Sequence, residues 1–193
     1  MRLSRILLVA AASATAAFAA VSTTAQAQPA PAASASTQFS DDELRQYGQA
    51  IGKVGELVRG LNGAQPTEAQ RKDMVDAVTA AGLTPERFNA IATAAQGDAL
   101  LKARIALASA PPSPAGSVGA GVTDAEAASF AKAMKGIRAV AVSSPPTAEQ
   151  QTQQQKAVTD SGLSIERFNA ISQASSTDLH LRARIAVASE KLG

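Results

Sequence analysis

Cysteine is absent from this 193-residue chain. Disulfide bonds, thiolate nucleophiles and cysteine metal ligands are therefore excluded. A lipoprotein anchor is excluded too, because lipid attachment at an export cleavage site needs a cysteine there. Packing, hydrogen bonds and ion pairs must hold the fold without covalent cross-links.

Histidine and aromatic residues are also scarce: the chain has one histidine, no tryptophan, one tyrosine and five phenylalanines. His180 has no cysteine or carboxylate pair near it in sequence, so we expect a structural role rather than metal binding or base catalysis. No glycine-rich phosphate loop follows a strand pattern. We therefore predict no catalytic residue, no metal site and no cofactor, and an enzyme is the least favoured class of protein.

The N-terminus has the organisation of a secretory signal peptide. Arg2 and Arg5 precede an apolar, alanine-rich run, and a small-x-small cleavage pattern ends at Ala27. Polar residues interrupt the run, which disfavours the alternative of an uncleaved membrane anchor. We predict a signal peptide over residues 1–27, cleavage before Gln28, and a periplasmic or secreted protein without a stable membrane span after cleavage.

The charge of the chain gives no sign of an anionic macromolecular partner. There are 18 Lys and Arg against 16 Asp and Glu. Two of the arginines lie in the predicted signal peptide, which leaves sixteen of each sign. Because a nucleic-acid-binding surface requires a concentrated excess of basic residues, we expect no nucleic acid partner.

Two segments rich in Pro, Ala, Ser and Gly divide the rest of the chain. Residues 28–38 and 110–121 lack apolar periodicity, which predicts a disordered tether and a flexible linker. The intervening segments, residues 39–109 and 122–193, are two copies of one sequence pattern.

The copies share short phrases in the same order. "GLTPERFNAI" at residues 82–91 returns as "GLSIERFNAI" at 162–171, and "DALLKARIALAS" at 98–109 returns as "DLHLRARIAVAS" at 178–189. Three residues are missing from the second copy just before Pro145, which indicates a loop between helices there.

Each copy has the pattern of consecutive helices. Apolar residues recur at steps of three and four, with Ile51 on the predicted buried stripe. Ser40 with Glu43 three residues later is a capping box. Gly82 is placed to end one helix, and Thr84 caps the next, with proline at its first position. The sequence predicts an all-α fold of two tandem small domains with about four helices each.

The repeated phrase also supplies the expected packing anchors, Phe88 and Ile91 in the first copy and Phe168 and Ile171 in the second. If the phenylalanines are buried, each Phe→Ala change should cost about 3–5 kcal/mol. Cores built from small aliphatic side chains are marginal in domains of about seventy residues, so packing between the copies or self-association would add stability.

The order of these phrases resembles a known family. "AAGLTPERFNAIATAAQGDALLKARI" and "DSGLSIERFNAISQASSTDLHLRARI" are similar to the bacterial domain of unknown function 4168, with Gly-Leu before an aromatic residue, Asn-x-Ile, an Asp and a terminal Arg-Ile. The resemblance implies an exported helical domain. It brings no activity and no catalytic residue.

Polar residues at equivalent places in both copies are the candidate site residues. They either support the helix corner locally, which we favour, or form a paired ligand-binding groove lined by the arginines and asparagines. The eight are Glu86, Asn89, Asp98 and Arg104 in the first copy, and Glu166, Asn169, Asp178 and Arg184 in the second.

These features favour a non-enzymatic envelope or periplasmic repeat protein with a structural or protein-interaction role. Two linked modules raise the effective concentration for a repeated or dimeric partner, so an unidentified envelope protein is the expected partner. The alternative is a small-molecule or lipid-binding domain in which Arg104 and Arg184 meet an anionic head group.

Overall fold

The structure, a computed structural model, describes residues 38–140 and 143–193. Within them the chain forms eight α-helices and no strand, which confirms the predicted all-α class. The predicted signal peptide, its cleavage site and nearly all of the predicted tether lie outside the described residues. The helices are α1 (Asp41–Gly60), α2 (Glu68–Ala80), α3 (Pro85–Gly97), α4 (Ala99–Ser109), α5 (Asp124–Ala139), α6 (Ala148–Thr159), α7 (Ile165–Thr177) and α8 (Leu179–Glu190).

Each of the described helices begins at a side-chain cap. A Ser, Thr or Asp oxygen accepts a hydrogen bond from a backbone N–H in the first turn, a donor that the helix itself leaves unpaired. The predicted capping box of Ser40 and Glu43 is confirmed, and α2, α5 and α6 have boxes of the same kind. Gly82 and Gly162 follow α2 and α6 with positive φ angles of 94° and 91°, the conformation that the predicted helix end at Gly82 requires.

Each copy buries its own hydrophobic core. Ile91 and Ile171 are fully buried. Phe88 and Phe168 are half-buried and pack against these cores. The ring centres of Phe88 and Tyr47 lie 4.9 Å apart in a tilted pair, and those of Phe168 and Phe130 of α5 lie 4.8 Å apart in a stacked pair. The four expected anchors therefore lie at the two core centres or against them, with the isoleucines innermost.

The first helix of the first copy extends beyond its core. Leu44, Tyr47 and Ala50 are buried, but Ile51 is 46% exposed. The prediction of a buried Ile51 is wrong because Ala50 takes the inward position at this level of the helix. Further along, α1 continues beside α2 as a helical hairpin.

The two copies differ at the end of the first helix. In equivalent positions, α5 ends at Ala139, about one turn earlier than α1. The residues missing from the second copy therefore shorten the helix, and the connection from α5 to α6 is no shorter than that from α1 to α2. The hairpin of the second copy is correspondingly shorter.

The copies pack against each other through α4 and α8 within one compact unit. The predicted linker, residues 110–121, runs between them as a series of turns. Its Gly119 lies so close to Asp178 that a Cβ would collide with the carboxylate. The flexibility expected of this linker stays a prediction.

We predict that Ile91→Ala and Ile171→Ala each lower the free energy of unfolding by about 2–5 kcal/mol, because each removes a fully buried side chain. The half-buried Phe88 should cost less than the buried-case range expected above. Urea denaturation measures both changes. The control is Ile51→Ala, expected to cost about 0.5 kcal/mol or less. An equal cost at Ile51 and Ile91 would contradict this description of the core.

Candidate functional site

The start of α1 is held by an arginine from α3. Glu43 closes the capping box with Ser40 and also accepts a hydrogen bond from Arg87 Nε at 2.6 Å. Arg87 donates a second bond to the carbonyl of Gln38 at 2.9 Å. Its guanidinium lies 4.4 Å from the centre of the Phe39 ring, a cation–π contact. One side chain therefore fixes the backbone, the cap and the apolar residue that precedes α1.

Arg104 reaches the same helix start from α4. It donates to the carbonyl of Phe39 at 3.1 Å and forms an ion pair with Asp41. The Arg104 side chain is 21% exposed, whereas that of Asp41 is 81% exposed. The arginine is thus the packed member of the pair, and its head group faces the N-terminus of α1, where carboxylates are favoured by the helix dipole.

The second copy repeats both ties. Arg167 of α7 donates to Glu126 at 2.7 Å. Arg184 of α8 donates to Asp124 at 2.6 Å and to the carbonyl of Val122 at 2.7 Å. We call each set of two arginines and two carboxylates an arginine–carboxylate cluster. One cluster closes the start of α1, and the other closes the start of α5.

The clusters lower the pKa of their glutamates. Hydrogen bonds from the Arg87 side chain and the Ser40 backbone lower the pKa of Glu43 from 4.5 to about 2. Arg167 and the Thr123 backbone do the same for Glu126, whose pKa is also about 2. Both carboxylates therefore remain ionised well into acidic solution.

Asp98 and Asp178 act as helix caps. Each residue follows one helix and caps the next: Asp98 accepts from the backbone N–H of Leu101 at 2.8 Å, and Asp178 from that of Leu181 at 2.9 Å. These aspartates set the break between the third and fourth helices of each copy. Their position supports the local structural interpretation of the repeated polar residues.

The remaining candidates are exposed. Glu86 and Glu166 lie in the first turns of α3 and α7, and Asn89 and Asn169 follow on the same helices. The arginines of the proposed groove lie on α4 and α8, where they bind carboxylates and carbonyls of their own copy. The structure therefore places the arginines and the asparagines of the groove hypothesis on different helices. The arginines are hydrogen-bonded within their own copy.

His180 lies half-buried in the first turn of α8. Its Nδ1 atom is buried without a hydrogen-bond partner among the described residues. In the same part of the chain, no three acidic or histidine side chains are grouped to hold a metal ion.

Arg184 borders a crevice of about 280 Å³ between α4, α5 and α8. Its lining is mainly apolar and includes Leu107, Ala127 and Val187. Asp124 also lines the crevice. No described helix is both long enough and apolar enough to cross a bilayer.

Comparison with known families finds a match in each copy. The family described as Domain of unknown function (DUF4168) matches residues 61–105 and 145–185. The chain carries two DUF4168 segments. This confirms the resemblance seen in the sequence. No curated protein and no solved structure matches the chain.

Each DUF4168 segment contains the two arginines of its cluster, whereas the carboxylates precede the segment on α1 and α5. Sequence reasoning missed this pairing. The sequence did contain a signal for it: both helices have an Asp at the first position and a Glu at the third. These carboxylates were interpreted only as part of a helix cap. The partners became evident only when the fold brought them together.

We predict that the Glu43→Gln and Glu126→Gln double variant is less stable than the wild type at pH 7. The folded pKa of each glutamate is lowered, so the stability it contributes is present above the unfolded pKa and is lost as pH falls from about 4.5 towards 2. The difference between the two proteins should shrink over that range in denaturation curves. Glu56→Gln, on an exposed position of α1, is the control. A difference that stays constant with pH would contradict the role of the two arginine–carboxylate clusters.

Proposed function

We propose that this chain is a non-enzymatic helical repeat protein of the bacterial envelope or periplasm, with a structural or protein-interaction role. The observation that carries the proposal is the use of the repeated arginines. Arg87, Arg104, Arg167 and Arg184 all bind carboxylates of their own copy. The polar features shared by both copies thus build the scaffold itself.

Export is part of the proposal. It is supported by the basic start, the apolar run and the small-x-small pattern that ends at Ala27. The two copies offer a partner two related surfaces on one chain, which favours a repeated or dimeric envelope protein. Self-association is the variant of this proposal in which the partner is another molecule of the same protein.

A small-molecule or lipid ligand is the second candidate, favoured by the crevice beside Arg184. Its lining is mostly apolar, and a cation borders it. Its volume of about 280 Å³ lies at the lower end for ligand pockets, and Arg184 is already paired with Asp124. These two facts rank the ligand below the partner.

Photo-crosslinking in the native envelope tests the ranking. A crosslinking amino acid placed at Ile51 or at Leu179, which are 46% and 54% exposed, samples one surface of each copy. We expect a discrete protein adduct, and N-terminal sequencing of the exported chain should begin at Gln28. The matched control lacks residues 2–27, so it stays in the cytosol and should not form the adduct.

A lipid extract of the same purified protein separates the two candidates. The partner proposal predicts no stoichiometric lipid. Recovery of one lipid per chain without any protein adduct would overturn it in favour of the ligand. A cytosolic chain that retains Met1 would refute the envelope location.

A further inference from the structure

The contact between the copies joins equivalent faces of equivalent helices. Ala106 of α4 lines the same crevice as Ala183 and Ala186 of α8, and Leu107 shares another crevice with Val187. The facing residues lie at steps of three and four on each helix, which places them on one side. They are Ala103, Ala106 and Leu107 on α4, and Ala183, Ala186 and Val187 at the equivalent positions on α8.

These faces are separate from the core of either copy. Ala103 and Ala183 are 8% and 6% exposed, although neither belongs to the core cluster of its own copy. Leu101 and Leu181, which point the other way, are fully buried in those cores. Small side chains on the facing sides allow the two helix backbones to approach closely, so each copy covers the apolar face of the other.

The charges of the two helices would oppose this contact if they were unpaired. Lys102 and Arg104 lie on α4, and Arg182 and Arg184 lie on α8, so both helices of the contact carry positive charge. Instead, Arg104 and Arg184 bind carboxylates of their own copy. Lys102 and Arg182 donate to backbone carbonyls at the ends of α3 and α7. Each copy therefore engages its own cations, and the facing residues themselves are apolar, while Arg182 and Arg184 border the crevices at the contact.

We propose that the facing sides of α4 and α8 form a homotypic docking surface whose partner is a second copy of the same domain. Because the same residues stand on both sides, the surface is self-complementary, as in a two-fold dimer interface. In this chain the neighbouring copy occupies it, and the linker, residues 110–121, joins the two copies and lies against Asp178 through Gly119. The inference does not depend on the proposed envelope role.

Cutting the linker, residues 110–121, in the folded protein tests the proposal. A protease recognition sequence is inserted between Ala115 and Gly116, which are both exposed, and the purified full chain is cleaved. We expect the two halves to sediment as a single one-to-one species at about 50 µM, where mass action keeps a pair of micromolar affinity associated.

Ala183→Glu and its mirror-image Ala103→Glu are the matched variants. Each puts a carboxylate into the facing surface, so the cleaved halves should bind at least about tenfold more weakly than those of the wild type. Circular dichroism before cleavage checks that the uncut variants are folded. Separation of the cleaved wild-type halves overturns the proposal, whether or not they stay helical. Unchanged affinity in both folded variants overturns it as well.

Discussion

A carboxylate that serves two partners at once holds the first helix of each copy in place. Glu43 accepts hydrogen bonds from the backbone of its own helix cap and from Arg87 on a distant helix. The residue before the cap, Phe39, packs into the same core as Leu44 in the first turn, the arrangement of a hydrophobic staple. Helix start, arginine and core are thus fixed at one point, and Glu126 does the same in the second copy.

Small side chains determine how the helices pack in the rest of the fold. With few aromatic residues available, the helices pack through alanine and branched aliphatic residues, and Ala50 and Ala133 are fully buried. Such cores bury little area per helix. The contact of α4 with α8 adds buried apolar surface that neither copy has alone. The arginine–carboxylate clusters engage Arg104 and Arg184, two of the cations on these helices, within their own copies.

Local features were readable in the sequence, and distant ones were not. The caps at Ser40 and Thr84 depend on residues within one turn, so the spacing alone was enough. The bond from Arg87 to Glu43 spans 44 positions, and the pair of Arg104 with Asp41 spans 63. The spacing of apolar residues along a helix does not indicate which distant residues will be in contact. Ile51 was misplaced for a related reason: its spacing fits the stripe, but the core ends at Ala50.

The central claim is that the repeated polar residues are structural ties, and a double-mutant cycle on Arg167 and Glu126 tests it most directly. Their side chains are 32% and 28% exposed, and their bond closes the start of α5. Urea denaturation of the wild type, Arg167→Gln, Glu126→Gln and the double variant isolates the coupling between them. The account predicts a favourable coupling of about 0.5–1.5 kcal/mol. A coupling indistinguishable from zero would contradict it, because the bond would then contribute nothing to holding the start of α5.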